Sequence, residues 1–466
     1  MAERFHLVGV GGAGMSAVAE LLAARGHEVS GSDQRDSPVL AHLRTVGVTT
    51  WVGHDASHVP SEGNLVVSTA VRESNPELVE ARRRRLRVLH RSEALVRAAQ
   101  GRDFVAVAGA HGKTSTSAML AVALDAAGQD PSYAIGGTVL AHGTGAHLGH
   151  GPAFVAEADE SDKSFLAYTP RVAVVTNVEP DHLDQHGTEE AFRRSFEDFV
   201  ARIVPGGLLV AGADDEGSLT LARHAQSSGT RVVTYGATRT APDGVEAHVE
   251  VVPTGGGSAA AGRLLRHGAG DALEADLTLR VGGRHMLLNA AAAWAAGLEL
   301  GVDSDAMARG LETFTGTGRR FEHRGDAAGV RVVDDYAHHP TEVEATLAAA
   351  REQAGVGRVL VLFQPHLYSR TQAFAERFGA ALGGADEVVV TDVYAAREDP
   401  VPGVDGSLVT HAMTGAGRYV PDRLEAARAV ADLARPGDLV LTVGAGDVTE
   451  LGPVILERLR GREERA

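Results

Sequence analysis

The chain has 466 residues, more than one hydrophobic core normally serves, so two to four domains are expected. Its 44% hydrophobic and 23% charged residues are those of an ordinary globular protein, and a formal net charge of −17 argues against nucleic acid or anionic lipid as partners. It contains no cysteine, which removes disulfides, thiolate zinc sites, iron–sulfur clusters and cysteine nucleophiles together.

Met1–Phe5 runs into an apolar strand with no basic n-region, and no stretch reaches the ~20 apolar residues of a membrane helix. No membrane insertion and a cytoplasmic address are therefore expected. Phe5–Val8 reads as a strand, and Gly9-Val10-Gly11-Gly12-Ala13-Gly14 opens a helix over Met15–Ala24. A second strand follows over His27–Gly31, with Asp33 just past its end. This is the diphosphate turn of Rossmann-like domains, open at this point to NAD or to a UDP-sugar. Asp33 suits either a sugar hydroxyl or a turn cap. Leu65–Ser68 and Arg87–Leu89 continue the alternation, so residues 1–100 form one small parallel α/β domain. The four arginines Arg82–Arg85 read as a solvated helix face.

The second unit, residues 101–320, begins with the most informative stretch. Phe104–Ala108 is a short apolar strand, Gly109-Ala110-His111-Gly112-Lys113-Thr114 a glycine turn, and Ser115–Ala127 a proline-free helix. Strand, glycine turn, Lys-Thr and helix together hold a nucleotide triphosphate: backbone N–H groups face the phosphates and the hydroxyl reaches Mg²⁺. The turn is shorter than the standard pattern, with Val107 where the first glycine would stand. Two further strands, Ala153–Ala158 and Arg171–Thr176, end in the acidic runs 157–162 and 177–184. Carboxylates there suit a hard cation, while Asp181 and Asp184 equally suit helix N-caps. Ala241–Asp276, rich in glycine and charge, reads as loose hairpins or a surface insertion, and Arg284–Leu300 as an alanine-rich helix.

A third α/β unit covers residues 321–466. Val330–Val333 leads into Asp334-Asp335-Tyr336-Ala337-His338-His339-Pro340, and Thr341–Glu352 reads as a helix with Thr341 and Glu344 spaced as a capping box. Arg358–Phe363 leads into Gln364-Pro365-His366-Leu367-Tyr368-Ser369-Arg370, and Asp438–Val443 into Gly444-Ala445-Gly446-Asp447. Open α/β sheets bind ligands at such carboxyl ends. The adjacent His338 and His339 read as substrate-facing more than as a core pair.

One domain thus offers a diphosphate turn, one a triphosphate loop and one a third ligand-facing sheet edge, the layout of an enzyme that uses ATP to join two molecules. GVGGAGMS, GAHGKTST, EADESD, NVEPDHLD, GRHMLLNAAAA, GTGRRFE, DDYAHHPTE, QPHLYSR and GAGD occur in that order along nearly the whole chain. On these segments it resembles the Mur ligases, with EADESD and DDYAHHPTE favouring the alanine-adding branch. The resemblance implies three α/β domains, Rossmann-like, P-loop and C-terminal. It implies an ATP-dependent ligase, monomer or homodimer, that joins L-alanine to the carboxylate of UDP-N-acetylmuramate through an acyl phosphate. By similarity Gly9, Gly11, Gly12, Gly14 and Asp33 hold the UDP-sugar. Gly109, Ala110, His111, Gly112, Lys113, Thr114 and Ser115, with His285 and Asn289, hold ATP. Thr114, Glu157 and His182 bind Mg²⁺, with Mn²⁺ as an alternative. Lys113, Arg320, His338 and Arg370 are the implied catalytic set, and Tyr336, His338 and Arg370 line the amino-acid site. The sequence departs from the family at Ala110, Met286 and Leu367, where threonine, asparagine and arginine respectively occur among relatives.

Overall fold

The computed structural model describes residues 2–179, 186–238, 245–255, 259–268, 272–396, 398–415 and 417–463. They divide into two compact units, one of Met1–Thr254, Ala261–Leu279 and Met286–Thr315, the other of Gly255–Ala260, Arg280–His285 and Gly316–Ala466. Among the described residues no helix is long and apolar enough to cross a membrane.

The first unit carries two sheets. In the N-terminal one, β1 (Arg4–Val8), β2 (Glu28–Asp33), β3 (Thr49–Val52), β4 (Asn64–Val67) and β5 (Arg87–His90) lie parallel in the order 3-2-1-4-5. Parallel strands need crossover helices, and these bury apolar stripes such as Val18, Leu21 and Leu22 against Phe5 and Leu7. Asp33 is the last residue of β2 rather than a residue beyond it. The arginine run behaves as a solvated face, with Arg82 on Glu73 and Arg83 and Arg84 on Glu80.

Below that sheet's ligand edge lies a buried carboxylate. Glu77 takes the Ser32 hydroxyl (2.6 Å) and the Asp55 N–H (3.3 Å), with His58 Nδ1 at 3.0 Å, His54 Nδ1 at 3.3 Å and His6 Nε2 at 3.7 Å. Burial alone would raise this carboxyl, but the nearby His6 and the bonds with Ser32 and His58 hold it at about 2. A depressed carboxyl stabilises the fold above its unfolded pKa, and that share is lost as pH falls through the folded value. Glu77→Gln is therefore expected to lower unfolding free energy at neutral pH by on the order of 3 kcal/mol, a gap that closes between about pH 5 and pH 2. Urea denaturation of both proteins across that range checks it, and a gap independent of pH would refute it.

The second sheet of this unit runs, among the described residues, in the order 15-14-13-12-11-10-6-9-7-8. Its strands are β6 (Asp103–Ala108), β7 (Ser132–Val139), β8 (Thr144–His147), β9 (Ala153–Glu157), β10 (Val172–Val175), β11 (Leu208–Gly212), β12 (Arg231–Gly236), β13 (Ala247–Gly255), β14 (Ala261–Gly268) and β15 (Leu273–Thr278). The central strands are apolar on both faces, as parallel strands under helices must be. Of the two readings of 241–276, loose hairpins or a surface insertion, the structure shows hairpin strands, built into the sheet rather than loose. The described part of this stretch builds β13, β14 and β15, and the last two pair antiparallel from Ala261↔Thr278 to Arg266↔Leu273. Ala275 and Leu277 turn inward between polar neighbours, and Gly262 and Leu264 are buried on either side of the exposed Arg263, a period-two pattern that the glycine content disguised.

In the second unit β16 (Glu322–Ala327), β17 (Val330–Asp335), β18 (Val359–Phe363), β19 (Glu387–Val390), β20 (Gly417–Tyr419) and β21 (Leu439–Val443) form a sheet of order 16-17-21-18-19-20. Among the described residues only β16 pairs antiparallel, with β17. Runs such as Val359–Phe363 and Leu439–Val443 are buried throughout, between two apolar layers. The following helix starts earlier than expected, at Pro340, and ends at Ala354. Its N-terminal carboxylate is Glu342, which accepts from the N–H groups of His338 (3.0 Å) and His339 (3.3 Å), not Glu344 paired with Thr341. Proline at the first helical position sets that register.

Candidate active site

In the first unit the loop 109–112 joins β6 to the helix Lys113–Ala126. Gly109 has φ +129° and Gly112 φ +83°, backbone that L side chains rarely adopt, and a Cβ on Gly109 would strike Thr176 Oγ1. Asn177 clamps the loop: its Oδ1 accepts from His111 N–H (3.0 Å) and its Nδ2 donates to His111 C=O (3.1 Å). Gly112 is the N-cap and has no side chain with which to satisfy the first N–H groups of the helix, the arrangement that suits an anion.

Lys113 Nζ donates to the carbonyl of Gly109 (2.5 Å) and meets Glu160 Oε1 and Oε2 at 3.0 and 2.9 Å. Burial works to lower the Lys113 ammonium, and the Glu160 and Asp159 charges outweigh it and raise it. Burial pushes the Glu160 carboxyl up to about 7 against the pull of Lys113. Glu157, at the end of β9, accepts from Gly136 N–H at 2.8 Å. Thr114 is buried in the first turn of the Lys113 helix. His182, with Asp181 and Asp184, lies outside the described residues.

Asn289 belongs to the helix Arg284–Glu299, and a Cβ on Gly112 would stand 2.8 Å from its Oδ1, so it backs the phosphate loop. Met286 Sδ lies 3.9 Å from Asn289 Nδ2. In the N-terminal sheet, Gly9 and Val10 donate their N–H groups to Ser32 C=O, and Asp33 Oδ2 accepts from Gly11 N–H at 2.9 Å. Asp33 thus braces the glycine turn, while its Oδ1 accepts from Arg35 N–H at 3.4 Å in the turn that follows β2. The helix Ala13–Ala24 likewise begins beyond Gly12 with no side-chain cap.

In the second unit Tyr336, His338, Arg320 and Arg370 are brought together. The guanidinium carbons of Arg319 and Arg320 each lie 4.9 Å from the Tyr336 ring centroid. Tyr336 meets His338 edge-on at 5.2 Å, His338 lies 5.9 Å from His366, and His366 stacks on Tyr394 at 5.8 Å. Arg370, buried, has Nη1 3.4 Å from His366 Nδ1. His338 Nδ1 is 3.4 Å from Glu342, while the buried His339 packs edge-on against Phe374 at 5.1 Å. The two neighbouring histidines therefore divide, one toward the site and one into the core. Leu367 is buried with φ +70°, turning the chain into the helix Tyr368–Leu382. His285 is pushed down to about 4, by burial first and the Arg320 charge second, and is neutral at pH 7.

Several residues here carried no separate signal in the sequence. Arg319 donates to the carbonyls of Gly444 (2.6 Å), Ala445 (3.3 Å) and Gly446 (3.1 Å) and to the buried Asp334 (3.3 Å). Asn177, Glu160 and Glu342 sat inside recognised segments, but nothing in those segments singled them out. A pair of adjacent arginines before a strand was the available cue for Arg319.

Three family profiles match in chain order: the Mur ligase family catalytic domain over 4–103, the Mur ligase middle domain over 107–297 and the Mur ligase glutamate ligase domain over 319–446. The UDP-N-acetylmuramate–L-alanine ligase of Kineococcus radiotolerans is 59% identical over 98% of this chain and 97% of its own. That of Saccharopolyspora erythraea is 53% identical, over 99% and 95%. The crystal structure of the UDP-N-acetylmuramate–alanine ligase of Thermotoga maritima superposes with a TM-score of 0.79 at 28% identity, over 99% of this chain and 100% of that one. The profiles, the near-complete coverage and the shared fold agree: the chain belongs to the Mur ligase family.

Proposed function

We propose that the chain is an ATP-dependent ligase that joins L-alanine to the carboxylate of UDP-N-acetylmuramate, releasing ADP and phosphate, in the cytoplasm and in the service of peptidoglycan precursor synthesis. The observation that carries this reading is 59% identity over nearly the whole length of an L-alanine ligase. In this reading residues 1–100 serve the UDP-sugar, 101–320 ATP and 321–466 the amino acid.

The muramate carboxylate attacks the terminal phosphorus of ATP, ADP leaves, and an acyl phosphate forms. The L-alanine amine then attacks the acyl carbon and phosphate departs, the amine giving up its proton. Gly109–Ser115 cradles the phosphates and Lys113 exchanges Glu160 for the terminal ones. Thr114 and Glu157, with His182, are the candidate cation ligands, and a hydroxyl and a carboxylate are the hard oxygens that suit Mg²⁺ or Mn²⁺. The cation, when bound, neutralises phosphate charge. Arg320 steadies the transferring phosphoryl group, Arg370 takes the amino-acid carboxylate, and Tyr336 and His338 wall the site. By similarity His285 and Asn289 serve the adenine, and Gly9, Gly11, Gly12 and Gly14 with Asp33 the UDP diphosphate.

With Mg²⁺, ATP and UDP-N-acetylmuramate, purified protein is expected to release ADP at a rate that depends on L-alanine. Equal turnover with glutamate or a tripeptide in place of alanine overturns the substrate, and no ADP from the complete mixture overturns the ligase.

A further inference from the structure

The acidic loop 157–162 directs its carboxylates two ways within the first unit. Asp159 pairs with Arg91, and Asp162 accepts from Thr69 Oγ1 (3.3 Å) and lies 3.5 Å from His90 Nε2. Thr69, His90 and Arg91 stand at or just past the carboxyl ends of β4 and β5, on the edge that also carries the glycine turn. Arg91 reaches that turn, since a Cβ on Gly14 would stand 2.6 Å from its Nη1. One residue along, Glu160 faces away and holds Lys113. Between them Asp159 feels both cations: burial works to raise its carboxyl, but Arg91 and Lys113 hold it well below the usual range.

The loop is braced as a short rigid piece. Ser161 N–H donates to Asp159 Oδ1 (3.1 Å) and Ser164 N–H to Asp162 Oδ1 (2.9 Å). Phe165 anchors its far end, stacked on Phe199 at 4.7 Å and edge-on to Phe196 at 5.3 Å. Asp159 and Glu160 are adjacent residues of that one braced segment.

We infer that the Arg91–Asp159 pair couples the two anion sites: a diphosphate seated on the glycine turn draws Arg91 toward itself, slackens Asp159, and loosens the grip of Glu160 on Lys113. ATP must displace Glu160 from Lys113, so a loosened grip strengthens ATP binding, and linkage makes the effect mutual. Arg91 and Asp159 are positioning residues in this account. It rests on the glycine turn holding the UDP-sugar, as proposed above.

The test is calorimetric binding of the non-hydrolysable analogue AMP-PNP with Mg²⁺, in the absence and presence of saturating UDP-N-acetylmuramate. Wild type is expected to bind the analogue at least about fivefold more tightly with the sugar present. Asp159→Asn should bind it more tightly than wild type without the sugar and gain less than about twofold from it. Arg91→Gln should lose the same dependence and stands in if Asp159→Asn does not fold. A wild-type ratio near one overturns the coupling, as does a ratio unchanged in both variants. Full L-alanine-dependent ADP release alongside a ratio near one would remove the coupling and leave the ligase reading intact.

Discussion

Lys113→Ala is expected to lower turnover by at least about a thousandfold while UDP-N-acetylmuramate affinity, measured without ATP, is not weakened. In the proposed reading the lysine contributes charge at the phosphates, where charge develops, and makes no contact to the sugar nucleotide. Two effects are mixed in that variant, however, and the structure separates them. Lys113 is also the counter-charge of the buried Glu160, and removing one partner of a buried pair destabilises by about 3–5 kcal/mol. Adding Glu160→Gln removes the stranded carboxylate, so the double variant should recover much of the lost stability and none of the lost turnover. Denaturant unfolding beside steady-state kinetics checks both halves. Turnover recovering together with stability would mean that Lys113 acts only as a structural cation.

The second large effect concerns the neighbouring arginines. Arg319 ties three carbonyls of the loop 444–446 to Asp334, which also takes Thr442 Oγ1 (2.6 Å) and Thr449 Oγ1 (2.7 Å). Arg319→Ala is expected to destabilise the second unit by about 3–5 kcal/mol, since it strands a buried carboxylate and several carbonyls at once. Arg320 instead lies over Tyr336 with Glu342 3.7 Å away, contacts worth about 1 kcal/mol. Arg320→Ala should leave stability almost unchanged and reduce turnover by about 10²–10³-fold. Unfolding free energies and turnover numbers for the pair decide it. The reverse pattern would move the phosphate role from Arg320 to Arg319.

That contrast also marks where a linear reading stops. The strand, glycine turn and Lys-Thr helix of 104–127 are legible because each piece is a local preference repeated by its neighbours. The buried strands Val359–Phe363 and Leu439–Val443 are legible for the same reason. Which of two adjacent arginines faces inward is not local: Arg319 has φ +60° and Phe321 φ +51°, and those backbone turns aim the side chains. Likewise Glu157 and Glu160 look alike in sequence. Only the fold past the end of β9 brings Glu160 to Lys113 and leaves Glu157 beside Gly136. The hairpin of β14 and β15 was one of two readings that glycine-rich flanks left open, and the start of the helix at Pro340 was obscured by a capping pair two residues out of register.

One amide side chain, that of Asn177, occupies both polar groups of the His111 peptide backbone. Freezing a residue's backbone costs about 1–2 kcal/mol in conformational entropy. Here that loss falls at the moment the chain folds, so an arriving nucleotide meets a mould already set and its binding free energy is not diluted by shaping the host.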